Sequence, residues 1–330
     1  MEVKSSSKKS SQRDYPRISE LLSSHLKLYK HKKMKKQLKK RAKNFKDPNF
    51  PASKLSLFGY RNEFYGSQSE KLKWMNLEWA RPEEVWKEVP YQFFGQSQTT
   101  EVKGGLLEGS FLFSILKILS KKRALLERLF DFKEISKHGL YSVWLFVDGL
   151  WKEVLVDDQF PVKKDPDGNT VFAFSGTTGN ELWVMVLEKA FAKVLGGYSK
   201  IMGQSPDDGE LVMRVLTGAP VFVAKELDVD TEEKYTRLSF LLRQGAILTC
   251  YSSEEHLRNS RSGDFVNGGQ IYQILELKGT NEKGGKLVRR VRVQATCVAK
   301  RRRTSLRPNR SSQGKNISNF SEKNSKFQKI

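Results

Sequence analysis

The chain has 330 residues, 38% of them hydrophobic with 20 Phe and 6 Trp, which suffices for one large or two ordinary domains and excludes global disorder. No run of about 18 uncharged apolar residues occurs and MEVKSSSKKS lacks the apolar stretch of a secretory signal, so the expectation is a soluble, intracellular protein, cytoplasmic or, from its basic runs, nuclear. Two cysteines, Cys250 and Cys297, and four scattered histidines, His25, His31, His138 and His256, give neither a disulfide framework nor zinc-ligand spacing.

The net charge of +22 belongs to the ends: residues 1–46 carry +13, residues 286–330 carry +13, and residues 47–285 carry −4. The acidic middle holds all the Trp and nearly all the Phe, whereas the last stretch is Ser, Asn, Lys and Arg with little to bury. This pattern predicts a globular centre between a basic N-terminal segment and a disordered basic tail. Over 16–45, Ile18, Leu21, Leu22, Leu26 and Tyr29 recur at helical spacing ahead of KHKKMKKQLKKRAK. That run and Lys300-Arg301-Arg302-Arg303 read as solvated tails or as docking surfaces for anionic lipid, nucleic acid or an import receptor. Neither interleaves the aromatics of a single-strand binding platform.

After Ser110, the residues Phe111, Leu112, Phe113, Ile115, Leu116, Ile118 and Leu119 are apolar almost all round, the mark of a helix buried on every side. Residues 141–147 and 150–156 are β-rich runs flanking Asp148-Gly149, a dipeptide that favours a type I′ turn, and predict a hairpin. Asn180 reads as the N-cap of a helix with apolar positions 183, 186, 187, 190, 191 and 194, stopped by Gly196-Gly197. Runs at 221–224, 246–250 and 270–277 read as strands. Helices first and strands later suggest an α+β fold. His256 reads as a loop histidine and Cys250 as a buried packing cysteine; pairing the two as a relocated catalytic couple has no motif behind it.

Several stretches together resemble the catalytic core of calpains, the calcium-dependent cysteine proteases with a papain-like fold. Residues 45–53, FKDPNFPAS, look like the family's entry segment, and Trp79-Ala80-Arg81-Pro82 resembles its Trp-x-Arg-Pro. Val156-Asp157-Asp158-Gln159-Phe160-Pro161 is similar to Val-Asp-Asp-x-x-Pro. Gly179-Asn180-Glu181-Leu182-Trp183, then residues 187–193 (LEKAFAK) and Gly197-Tyr198, are close to Gly-Asn-Glu-x-Trp, Leu-Glu-Lys-Ala-Tyr-Ala-Lys and Gly-Ser-Tyr, and Leu216-Thr217-Gly218 adds a shorter match. The resemblance implies a helical first lobe over about 45–210 and a partial, β-rich second lobe over 211–290, with 1–44 and 291–330 as basic extensions.

The chemistry departs from the family's pattern. A calpain nucleophile is a Cys opening a buried helix, where the helix dipole and a paired His hold it as thiolate. Aligned through Leu125-Leu126-Glu127-Arg128, Ser110 takes the Cys position and Gly104 the position of the oxyanion Gln; a one-residue shift puts Gly109 at the Cys position. Gln270 stands where the His of Gly-His-Ala-Tyr-Ser-Val is expected. The Asn-Pro-Trp-Gly that carries the third member occurs nowhere in the chain. A general base is worth about 10²–10⁴ in rate and an oxyanion donor about 10²–10³, so such losses leave little protease.

The resemblance therefore implies a catalytically inactive binding or regulatory module that takes a polypeptide or protein partner in its cleft. The alternatives are a working calcium-dependent endopeptidase, with Ser110 as nucleophile or a product differing from this text, and a carrier whose basic ends dock to lipid or nucleic acid. For calcium, the family's first site maps onto Glu101 and Glu181 with carbonyls from the 94–99 loop, an all-oxygen donor set suited to a hard cation. The competing reading makes Glu181 a helix-dipole acid and Glu101 a surface acid. The polar text after 290 reads either as a naturally shortened lobe or as a misread terminus.

Overall fold

The computed structural model describes residues 44–64, 66–96, 100–107, 110–202, 208–223, 231–252, 270–281, 287–296 and 325–329. Residues 16–43 of the expected basic helix, His256, Cys297 and the run at 300–303 lie outside these. The helices are α1 (Lys54–Phe58), α2 (Gln68–Met75), α3 (Pro82–Trp86), α4 (Phe111–Leu119), α5 (Arg123–Glu127), α6 (Trp183–Leu195), α7 (Ser199–Met202), α8 (Asp208–Thr217) and α9 (Thr231–Arg243). The strands are β1 (Glu78–Ala80), β2 (Val102–Lys103), β3 (Leu140–Val147), β4 (Leu150–Asp157), β5 (Phe160–Lys164), β6 (Thr170–Phe172), β7 (Gly176–Thr177), β8 (Leu248–Ser252), β9 (Gln270–Asn281), β10 (Leu287–Ala295) and β11 (Ser325–Lys329). This mixture is the α+β class that the order of elements implies. Contacts divide the chain into two units: Met1–Leu112 with Lys122–Val221, and Phe113–Lys121 with Phe222–Ile330.

In the first unit, β3 and β4 form the expected hairpin, in register from Leu140↔Asp157 to Val147↔Leu150. Asp148 (φ +53°) and Gly149 (φ +76°) both take the left-handed conformation that a type I′ turn requires. Helix α6 packs on β3 and β4, and twelve of its thirteen residues are buried. It ends at Gly196 (φ +88°), whose left-handed conformation lets its N–H return to the last turn.

Burying α6 so completely takes Glu188 and Lys189 out of water and most of Lys193 with them; the two lysines meet carboxylates and Glu188 meets only a neutral serine. Lys189 and Asp157 are both fully buried and form an ion pair; the ammonium also donates to the Gln159 carbonyl and lies over the Trp79 and Phe160 rings. Lys193 pairs with Asp47 at 2.6 Å, and the Asp47 N–H donates to Asp157 Oδ2 at 2.7 Å. Arg81 pairs with Asp158 and donates to the Phe45 carbonyl at 2.8 Å. Glu188 has no cation: it accepts the Ser175 hydroxyl at 2.6 Å and the Ser175 N–H at 3.2 Å, and burial pushes its carboxyl up to about 7. The entry segment, the Trp-x-Arg-Pro stretch, the paired aspartates and the Glu-Lys helix are thus parts of one buried polar network.

The second unit contains a four-stranded antiparallel sheet ordered β11-β10-β9-β8, with α9 packed against β8 and β9. Residues 113–121, most of α4, belong to it. Ser114 and Thr296 meet hydroxyl to hydroxyl at 3.0 Å, and Thr296 also donates to the Ile271 carbonyl at 2.7 Å. The buried helix expected after Ser110 is present as α4.

Several expectations change. Residues 221–223 are not strand, and Phe222 is 91% exposed: a short apolar run has no period of its own to separate strand from connection. The strand at 246–250 begins two residues later, as β8. Asn180 is not the N-cap; at φ +51° its carbonyl takes the Gln92 N–H at 3.2 Å, and α6 starts at Trp183. Asn tolerates this left-handed conformation better than most residues. The boundary at 290 falls inside β10, and Ser325–Lys329 adds a strand to the segment expected to be disordered. Alternation of Val291 and Val293 with arginines carries a two-faced strand through a basic stretch. Helices α8 and α9 were not foreseen in the nominally β-rich part.

Candidate functional site

Ser110 immediately precedes the first residue of α4 and is buried, 9% exposed. Its N–H donates to the Leu107 carbonyl at 3.1 Å. A residue here faces the positive end of an apolar helix, the setting in which a thiol would be held as thiolate. A serine hydroxyl gains far less, because its ionisation lies far above neutrality and needs a base. The stretch carrying Gly104 is fixed by the β2–β7 pairing, Lys103 opposite Gly176. The Leu106 N–H donates to the Ala173 carbonyl at 2.9 Å. A Cβ on Gly105 would lie 2.4 Å from the Phe174 carbonyl oxygen, so this close backbone approach requires glycine. Gly104 brings no side-chain amide to an oxyanion.

Gln270 opens β9, opposite Ser252 of β8, in the second unit. An amide side chain has no basic nitrogen at neutral pH, so it cannot serve as the proton acceptor. The chain beyond 286, where the Asn is expected, is the Arg- and Val-rich strand β10. Cys250 is exposed in the middle of β8, which corrects its reading as a buried packing residue. Partial desolvation beside the sheet still raises its thiol to about 11, so it carries almost no thiolate at neutral pH.

Glu181 is buried, 3% exposed. Its Oε1 accepts from the Thr100 hydroxyl and its Oε2 from the Trp183 indole N–H, each at 2.7 Å. Gly95 lies directly against it: a Cβ there would come within 2.1 Å of Oε1. Arg123 donates to the Gly95 carbonyl. Glu101 is exposed, and its carbonyl accepts the Thr178 N–H at 3.1 Å. Among the described residues no three His, Cys, Asp or Glu side chains gather into a metal-binding group. A hard cation at Glu181 would have to share oxygens already bonded to Thr100 and Trp183, with Arg123 on the Gly95 carbonyl; by themselves these bonds give the carboxylate a structural role. Two polar groupings were not anticipated: Glu188 with Ser175, and Lys121 with Gln273 and Gln294. The lone charges of Lys117 and Lys121 at the end of an apolar run were the available signal for the latter.

The fold and this helix-headed position define the papain-like class of cysteine protease cores. The profile of the calpain family of cysteine proteases matches residues 45–295, and the chain belongs to that family. It is similar to the calpain-type cysteine protease ADL1 of Oryza sativa, 29% identical over 258 residues, covering 74% of this chain and 11% of the relative. It is likewise similar to the human calpain-1 catalytic subunit, 29% identical over 247 residues with 73% and 32% covered, and to the mouse calpain-2 catalytic subunit, 33% identical over 169 residues with 50% and 23% covered. The chain therefore spans a third or less of the length of these relatives. Among the described residues no helix is long and apolar enough to cross a membrane.

Proposed function

We propose that this chain is a calpain core that does not hydrolyse peptide bonds and serves as a binding or regulatory module for polypeptides. The observation that supports this most directly is Ser110 at the head of α4, where the family's chemistry needs a thiolate. Gln270 and Gly104 add to it, since nucleophile, base and oxyanion donor act as a unit and the loss of one leaves the others little to do. The deciding assay is hydrolysis of casein and of a quenched peptide by the full chain with and without calcium. No turnover above background is expected, and none in Ser110→Ala. Calcium-stimulated turnover that vanishes in Ser110→Ala would establish a serine-dependent endopeptidase instead.

Calcium binding is a second, separable part of this reading, supported by the buried Glu181 carboxylate beside Gly95. Glu181 and Glu101 would hold the ion. Millimolar calcium is expected to raise the melting temperature through preferential binding to the folded chain. Magnesium should do much less, because it demands tight octahedral geometry. Glu181→Gln should remove the response; a response surviving both Glu181→Gln and Glu101→Gln would return the two acids to a structural role.

A further inference from the structure

Residues 82–91, helix α3 and the turn after it, form an amphipathic surface element of the first unit. On its inner side Trp86 packs edge-on against Phe172 of β6, ring centroids 5.0 Å apart. Outward it presents the half-exposed Trp86–Tyr91 ring pair, with centroids 5.0 Å apart, and Val89, 48% exposed. Glu83, Glu84 and Glu88 are exposed within the same ten residues, where Lys87 is the one cation. Among the described residues none of these three acids forms an ion pair. Burial and the nearby Glu83 charge push the Tyr91 hydroxyl up from its ordinary range, so a carboxylate stands beside the ring pair.

The basic segment of the chain leads directly to this element. Phe45 is held on both sides: its N–H donates to the His138 carbonyl at 2.7 Å, and its carbonyl accepts at 2.8 Å from Arg81, the residue immediately before α3. Four residues of chain span at most about 14 Å, so Arg41 and Lys43 stay close to the first turn of α3 whatever path they take. Residues 30–43, KHKKMKKQLKKRAK, hold nine Lys or Arg and no acid. Met34, Leu38 and Ala42 recur at every fourth position, the spacing that on a helix sets a narrow apolar stripe between lysines. Stripe and ring pair, cations and carboxylates are complementary, and the rings also attract Lys or Arg across their faces. Because the two partners share one chain, their encounter is intramolecular, with an effective concentration in the millimolar range for a short connection.

We propose that residues 30–43 dock on the outer face of residues 82–91 of the same chain, which makes the basic run a ligand of its own core rather than a free tail. This surface is independent of whether Ser110 supports hydrolysis and of whether Glu181 takes calcium. The test is hydrogen exchange of the full chain at low ionic strength, read on fragments from 30–43. Exchange there is expected to be about tenfold slower than in a synthetic peptide of the same residues. It should return to the peptide rate in Glu83→Gln with Glu88→Gln, and in 1 M salt, where the screening length falls to about 3 Å. Glu84 is left in place because its carboxylate accepts the Arg81 N–H at 2.7 Å and caps α3. Charge exchange makes the readout specific: Glu83→Lys with Glu88→Lys should abolish the protection, and adding Lys39→Glu, Lys40→Glu and Arg41→Glu should restore it. Protection that rises with protein concentration would assign the face to a second copy. Phosphatidylserine vesicles that bind the unaltered chain and the Glu83→Gln, Glu88→Gln chain equally would assign the run to a lipid surface. Either result overturns the proposal, as does exchange at the peptide rate in the unaltered chain or a charge exchange that restores nothing.

Discussion

In the first unit, four buried or nearly buried cations face carboxylates: Lys189 meets Asp157, Lys193 meets Asp47, Arg81 meets Asp158 and Lys200 meets Glu63. In the second unit, Lys121 meets only the neutral amides of Gln273 and Gln294. The two arrangements respond in opposite ways to the loss of a charge. A matched buried pair leaves a stranded ion when one partner is removed, and that is costly; a cation held by amides strands nothing charged when it goes. The first unit's ions therefore lock a scaffold, whereas the second unit's cation is held by neutral amides and can be removed without stranding a charge.

The largest expected effect tests this contrast directly. Lys189→Met should destabilise the chain by about 3–5 kcal/mol in urea unfolding, because Asp157 is left charged and buried. Lys121→Met should cost less than about 1 kcal/mol. Equal losses would erase the distinction between the two units.

Glu188 sharpens the comparison from inside the first unit, since it, like Glu181, is a buried carboxyl held by neutral donors. Its carboxyl stands at about 7 in the fold against an ordinary 4.5. Between these values the folded chain keeps a proton that the unfolded chain has released, so stability falls as pH rises from about 4.5 to about 7 and levels off above that. Relative to Glu188→Gln, the unaltered protein should lose about 3 kcal/mol across this window. Parallel stability curves for the two proteins would show that the carboxyl is not perturbed.

A small, local effect calibrates the rest. Ser67 accepts the Glu70 N–H at 3.3 Å and its own N–H donates to Glu70 at 2.7 Å, a capping box at the start of α2 that lies outside both networks. Ser67→Ala should cost about 1 kcal/mol and add to Lys189→Met without coupling. Coupling above about 0.5 kcal/mol would mean that the ionic network reaches further than its hydrogen bonds.

Much of this scaffold was legible because its motifs pair with one another. Asp47, Arg81, Asp157, Asp158, Lys189 and Lys193 come from four separate stretches, and the fold joins them. The Asp148-Gly149 turn was legible for a local reason, since both residues must adopt positive φ. Asn180 misled because a residue suited to capping is equally suited to an isolated left-handed position, and only the partner at Gln92 decides between them. The run at 221–224 misled because apolarity without alternation does not specify pairing. At the site, Ser110 and Gln270 could be read position by position, whereas the Lys121 grouping depends on the register that sets Gln273 opposite Gln294, a long-range fact carried by no single stretch.

The bond from Lys193 to Asp47 also bears on the order in which the chain assembles. Its partners are 146 residues apart, and the Asp47 N–H bond to Asp157 spans 110. During synthesis Asp47 emerges long before either, so residues 45–50 cannot settle until the hairpin and the following helix have formed. Loop-closure entropy rises only slowly over such separations, so delay rather than equilibrium cost is the main consequence. The hairpin, closed by two residues, belongs to the early, local events. The entry segment is then the last strap fastened and the first released, and its amides should exchange with solvent through a local opening that leaves the rest of the unit folded.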